Sequence, residues 1–403
     1  MMQRNSDKKT NIKKGDRDFV LVIIWIPFIF ILSFLCWFRS EDRFSESERR
    51  VLKTFPQITT ESLLDGKFMK DFESYSLDQF PFRDTFRGMK AMASYFMFKN
   101  KENNGIYMAD GYLSKVEYPM EPKMLDYAVE HFEKIYNTYL KENSSKCYFV
   151  MIPDKNYFMA ANNGYLSINY DDMFSYMEEK MYFTEYIDIT HLLSLEDYYK
   201  TDTHWRQEKI TDVAEYLEKA MERDDKERQW GFEKKVSQEI TEENKESLIK
   251  AEYEIKELET PFYGVYCGQA ALPVKPDRLY YLNSEILKKC EVTNLDTGKV
   301  KKTVVYNLEK ATGNDAYEIF LSGASALLVI ENPEVTEERE LVVFRDSFGS
   351  SLIPLLVSTY SKITMIDTRY VNSSMLGNLV DFHGQDVLFL YSTLILNNSM
   401  SMR

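Results

Sequence analysis

The sequence predicts an α/β domain on a mostly parallel central sheet, preceded by one N-terminal transmembrane helix. Three observations point to this architecture. Between residues 60 and 403, short apolar runs rich in β-branched and aromatic residues alternate with segments of helical period, as in strand-helix-strand units. Polar corners such as Pro153-Asp154-Lys155 and Arg345-Asp346-Ser347-Phe348-Gly349 follow such runs, where an open α/β sheet carries its working residues. Residues 19–38 (FVLVIIWIPFIFILSFLCWF) contain no charge and are long enough to cross a hydrocarbon core of roughly 30 Å.

Composition excludes some functions. A net charge of −14 argues against a nucleic-acid partner, because neutralising phosphates needs a basic face. The 4 cysteines are too few for a disulfide framework and lack zinc or redox spacing. A Cys267–Cys290 bridge and free thiols both remain open.

Residues 1–18 form a polar tail of mixed charge, and 19–38 form the membrane span, where Pro27 is tolerable. No small-x-small cleavage pattern follows the apolar run, so it is expected to stay as an anchor. Six Lys or Arg precede it and five follow within twenty residues, a bias that mildly favours the N-terminus inside. Residues 39–59 are a charged spacer, and 60–403 the globular part. Aromatics at helical spacing from Phe72 end at Pro81, and 105–113 predicts two short strands around Asp110-Gly111. A helix over 124–141 leads to a strand at 147–152, then a helix over 173–181 and a strand over 182–189. A helix over 208–223 precedes a highly charged excursion, 224–258. Strands are expected within 276–331 and at 341–345, 362–367 and 386–391.

At the 341–356 stretch an apolar run meets a polar, glycine-containing corner and then a helical pattern. This reads as strand, sharp turn and helix with Ser347 at the corner, the first helical amides pointing toward it. An ordinary N-cap has the same appearance, so the reading depends on finding a base. Among four histidines, His131 lies inside a helix, His191 has no acidic neighbour, and His383 sits in a loop between Asp381 and Asp386. His204 differs, because Asp202 stands two residues before it in Thr201-Asp202-Thr203-His204-Trp205. In an extended segment both side chains project to one side, so Asp202 fixes the imidazole tautomer and the other ring nitrogen faces a serine. The competing reading has Asp202 capping a helix that begins near Gln207. No third and fourth ligand accompany the pair at metal-binding spacing, so no metal is expected.

TDTHW followed far downstream by RDSF resembles the SGNH-hydrolase-like proteins of bacterial polysaccharide O-acetylation, including the alginate acetyltransferases and the Gram-positive D-x-H-W proteins. FESYSLDQFPFRDTF, Pro153-Asp154-Lys155, NDAYEIFLSG and IDTRY also match, so the resemblance spans 60 to 391. It implies a permuted SGNH-like fold, with Ser347 as nucleophile, His204 as general base and acid, and Asp202 as its orienter. It further implies transfer of acetyl groups to a cell-surface or secreted polysaccharide, no cofactor, an extracytoplasmic catalytic domain on a single-pass anchor, and a multi-pass membrane-bound O-acyltransferase as partner. The rival readings are an acetylesterase with the same residues and a non-catalytic cell-envelope scaffold. Ala324 stands where relatives often carry Asn, and Arg206-Gln207-Glu208-Lys209 departs from their pattern. Arg369 and Tyr370 are candidate substrate-binding residues, with an Arg369–Asp367 structural pair as the alternative.

Overall fold

The computed structural model describes residues 14–45, 47–98, 101–222, 253–296 and 300–403. Residues 1–13 of the expected tail, residue 223 at the end of the expected helix, and 224–252 of the expected charged excursion lie outside them. The chain divides into two compact units, Met1–Lys90 and Ala91–Arg403.

In the first unit, α1 (Lys14–Phe38) contains an 18-residue window, Phe19–Cys36, of mean hydropathy 2.9, long and apolar enough to cross a membrane. After α1, a short antiparallel ribbon (Phe44–Ser45 with Arg50–Val51) is tied to α2 (Lys67–Asp78) by charge. Asp78 accepts from both terminal nitrogens of Arg50 (2.9 and 2.5 Å) and from the Lys53 amide (2.9 Å). Those hydrogen bonds hold its carboxyl below the usual range, the one from Arg50 most of all.

The second unit is built on eight strands: β1 (Cys147–Ile152), β2 (Glu185–Tyr186), β3 (Glu291–Asn294), β4 (Lys301–Thr303), β5 (Leu327–Glu331), β6 (Glu340–Arg345), β7 (Lys362–Ile366) and β8 (Asp386–Ser392). Their order is β4-β3-β5-β7-β6-β8-β1-β2. From β7 through β2 every pairing is parallel; β5, β3 and β4 add an antiparallel edge. The unbroken apolar runs have their cause here. All six side chains of β1 are buried because the parallel strands are covered on both faces. Val150, Ile152, Val343 and Leu388 point to one layer with Trp205, Val213 and Leu352, whereas Phe149, Met151, Val342 and Phe389 point to the other with Leu125, Phe132 and Met173.

Several expectations need correction. Only Glu185–Tyr186 of 182–189 is strand, and the chain then makes 3-10 turns at Thr190–Leu192 and Leu195–Asp197. Within the expected 224–258 excursion, Glu254–Glu257 forms a strand that pairs antiparallel with Tyr280–Asn283. The turn at Asp110-Gly111 does join two strands, both residues having positive φ (52° and 80°). No disulfide forms among the described residues, so Cys267 and Cys290 are not bridged.

β6 lies between β7 and β8 and delivers Ser347 to the sheet's carboxyl edge. The connection from β6 goes to β7 on one side, and that from β1 goes to β2 on the other. This is the topological switch at which open α/β sheets form a crevice.

Candidate active site

At the end of β6 the corner is fastened to β8. Asp346 Oδ2 accepts from the Ser392 amide (2.8 Å) and Oδ1 from the Phe348 amide (3.0 Å). Residues 341–350 are buried except Ser347, which is half-buried, so the corner presents that side chain alone. The helix that follows is short, α3 (Gly349–Leu352), continued by a 3-10 turn Ile353–Leu356. Its first amides are engaged internally: Phe348 N with Asp346 Oδ1, Gly349 N with Asp346 O, and Ser350 N with Ser347 O. The expected row of free helical donors is therefore absent, and no acceptor lies against the Ser347 amide among the described residues.

Residues 199–204 form a tight loop closed by a bridge between Tyr198 and Trp205 and by a hydrogen bond from Tyr199 N to His204 O (3.1 Å). The Asp-x-His segment is a bend rather than the extended stretch expected. Proximity comes from a side-chain turn in which Asp202 Oδ1 accepts from His204 N (3.1 Å) and contacts Nδ1 at 2.6 Å. Asp202 is fully buried, and its Oδ2 accepts from Val265 N (2.8 Å), so the carboxylate orients the ring instead of capping the Gln207 turn. An ionised carboxylate only accepts, so Nδ1 carries the proton and Nε2 is left with its lone pair. Nε2 lies 2.7 Å from Ser347 Oγ.

Thus Asp202, His204 and Ser347 converge from segments more than 140 residues apart. Two neighbours of His204 hold the segments together. Trp205 Nε1 donates to Ser351 Oγ (2.9 Å) and Phe348 O (3.2 Å). Gln207 Nε2 donates to Ser351 O (2.8 Å), and its Oε1 accepts from Leu282 N (2.8 Å). The arrangement can pass a proton from an alcohol to an imidazole held by a buried carboxylate, which is what activating a serine requires.

Sequence reasoning missed Tyr317, whose ring lies parallel to the His204 imidazole with centroids 3.8 Å apart. Burial pushes the Tyr317 phenol far above its ordinary value, and the O–H contacts Ser351 Oγ (2.8 Å). The only signal was its place within NDAYEIFLSG. Arg345 was also passed over. It is 1% exposed, with Nη1 on Asp346 O (3.3 Å) and Ser350 Oγ (3.2 Å), and its Nε and Nη2 have no partner among the described residues. Arg369 forks onto Asp367 through Nε (2.9 Å) and Nη2 (2.6 Å), so its guanidinium is engaged in the structural pair. Tyr370 is 52% exposed beside it, with the Arg369 guanidinium 5.6 Å from its ring centroid, and Ala324 is exposed. His131 is buried in a helix, His191 stands edge-on to Tyr216, and His383 hydrogen-bonds within its own loop.

No curated protein matches the sequence. Among solved structures the chain is similar to a DHHW family protein from Eubacterium siraeum (18% identity, 74% of this chain and 95% of that one, TM-score 0.55). It is also similar to Bacillus cereus PatB1 carrying a sulfonyl adduct (18% identity, 72% and 95%, TM-score 0.54). At such identities the likeness is one of fold: an α/β domain with a mostly parallel central sheet. Residues 244–366, which include Tyr317 and Ser347 but neither Asp202 nor His204, match the family described as DHHW protein.

Proposed function

We propose that this chain is a membrane-anchored O-acetyltransferase that moves acetyl groups onto a cell-surface or secreted polysaccharide through an acetyl-serine. The observation that supports it most is the single line of contacts from Asp202 through His204 to Ser347 Oγ, at 2.6 and 2.7 Å. Ser347 Oγ attacks the donor's acetyl carbonyl as its proton passes to His204 Nε2. The Ser347 amide, which no internal acceptor uses among the described residues, is the first donor to the oxyanion. The leaving group departs with the proton from His204. A sugar hydroxyl then gives its proton to His204, forms the new ester bond, and Ser347 regains a proton as its own bond to the acetyl carbon breaks. The apolar α1 serves as anchor, the domain lies outside the cytoplasm, and a multi-pass membrane-bound O-acyltransferase supplies the acetyl group. These last points rest on the resemblance of TDTHW and RDSF.

The test incubates the full chain in detergent with p-nitrophenyl acetate and a de-acetylated cell-wall glycan. An acetylated Ser347 peptide and newly acetylated glycan, both lost in Ser347→Ala, support the proposal. Acetate release with unmodified glycan makes the protein an esterase. Absence of acetyl-Ser347 with either donor or glycan leaves the scaffold reading.

A further inference from the structure

Lys155 has no carboxylate bonded to it among the described residues, is 1% exposed, and stands at the start of the helix that follows β1. Lysines are rarely buried without a paired charge. Its Nζ donates to the carbonyls of Tyr199 (2.9 Å) and Lys200 (3.3 Å). Both carbonyls belong to the loop that carries Asp202 and His204. On another side, Nζ sits 5.0 Å from the centroid of the Tyr266 ring. A neutral amine making the same two bonds would turn a lone pair toward an electron-rich ring face, whereas an ammonium turns a third N–H toward it. The contacts therefore select the protonated form.

The groups around it say what that charge is for. Asp202 contributes the largest attraction, followed by Asp277 and Asp154. Asp277 binds the same loop from outside, accepting from Lys200 N (2.9 Å), Thr201 N (2.7 Å) and Thr201 Oγ1 (2.6 Å). Asp154 is occupied by Tyr170 (2.7 Å) and Thr393 (2.8 Å). Tyr199 and Tyr266 are neutral phenols, both raised by burial, and Tyr266 donates to Thr203 Oγ1 (3.1 Å). Glu117, paired with Lys115, bears on Asp154 and Tyr266 rather than on Lys155. Of these acids, Asp202 is the one in contact with His204.

We propose that Lys155 is a positioning residue for the acid–base loop: its buried ammonium clamps the Tyr199 and Lys200 carbonyls and supplies the charge that keeps Asp202 ionised and His204 aligned on Ser347. This rests on the serine-nucleophile reading above. Burial opposes the same charge and brings the Lys155 ammonium down to about 7, so the clamp itself titrates near neutrality. Above that pH the amine loses the proton that faces Tyr266, and the loop loosens.

The experiment follows covalent labelling of Ser347 by phenylmethylsulfonyl fluoride on the full chain between pH 5 and pH 10, with folding checked by circular dichroism. Wild type should label along a bell-shaped profile. Lys155→Met should label at least tenfold more slowly per folded molecule, with the alkaline limb absent. Lys155→Arg keeps a charge that does not titrate, so it should outperform Lys155→Met and also lack the alkaline limb. A Lys155→Met profile of unchanged shape, within twofold of wild type, overturns the role of Lys155 and leaves the serine reading intact. Wild type that never labels at Ser347 overturns the serine reading, and the role of Lys155 with it.

Discussion

The imidazole of His204 and the phenol ring of Tyr317 lie face to face, their centroids 3.8 Å apart and their planes 7° apart. Phe348 closes a second side at 4.9 Å. The imidazole is thus fixed in rotation by Asp202 and in plane by Tyr317, leaving one free edge toward Ser347. A ring face attracts an imidazolium by about 0.5–2 kcal/mol, so the stack favours the state reached after proton transfer. Tyr317→Leu should lower kcat about tenfold, because the imidazolium formed on proton transfer loses that support. Tyr317→Phe keeps the stack and loses the hydroxyl's contacts with Ser351 Oγ (2.8 Å) and Ser347 O (3.4 Å), costing about 1 kcal/mol of stability with kcat nearly unchanged. Equal losses in both variants would place the effect on the hydroxyl.

Asp202 accepts from His204 N, His204 Nδ1 and Val265 N. An amide has one acceptor oxygen, so Asp202→Asn turns an NH2 group toward a donor and favours the wrong tautomer of His204. Acetyl transfer should fall by about 10³–10⁴ with the fold retained, and Ser347→Ala by at least as much. The double variant should be no worse than Ser347→Ala, since the residues act as one unit. Steady-state rates with circular dichroism on the same samples check both statements.

What the sequence revealed depended on how local the determinant was. The strands at Cys147–Ile152 and Asp386–Ser392 were legible because a buried parallel strand is written as a continuous apolar run. The Asp202–His204 pair was legible as a spacing, although its geometry comes from a side-chain turn and not from an extended chain. Tyr317, Gln207 and Lys155 were not legible as site residues. Their roles come from contacts with segments distant in the chain, as when Lys155 reaches Tyr199 and Gln207 reaches Ser351. An Arg-Asp-Ser corner reads as a helix start, but only coordinates show that its first amides are already used.

Gly264 marks another such distant contact. Its φ of −71° suits any residue, so conformational freedom is not the reason for glycine there. A Cβ at this position would lie 2.3 Å from Asp202 N and 2.4 Å from Asp202 Cα, both backbone atoms that cannot swing aside. Gly264→Ala must therefore push the 199–204 loop away from Val265 N and from Ser347. Overpacking of this kind costs about 1–3 kcal/mol. The loss in activity should exceed tenfold even where the protein is fully folded, because the displaced atoms are those that hold His204. A variant with lowered Tm and wild-type kcat would show that the loop can relax without moving the imidazole.

His131 gives the fold its own response to acid. It is 8% exposed on the helix Pro122–Ile135, and its Nε2 has no partner among the described residues. Burial pushes its pKa down from 6.5 to about 4, with a smaller contribution from Lys134. The unfolded chain therefore binds a proton near pH 6.5 that the folded chain refuses until about pH 4. Its contribution to stability is complete above the unfolded value and is lost as pH falls through this window. Linkage puts the loss at about 2 kcal/mol by pH 5 and about 3 kcal/mol below pH 4, both as upper bounds. His131→Leu removes the titrating group and the unpaired nitrogen together. Its unfolding free energy, followed by urea denaturation from pH 4 to pH 8, should fall less steeply toward acid than that of wild type, the two curves differing most near pH 4. Parallel curves would mean that His131 takes its proton in the folded state without cost, and that other groups set the acid limit.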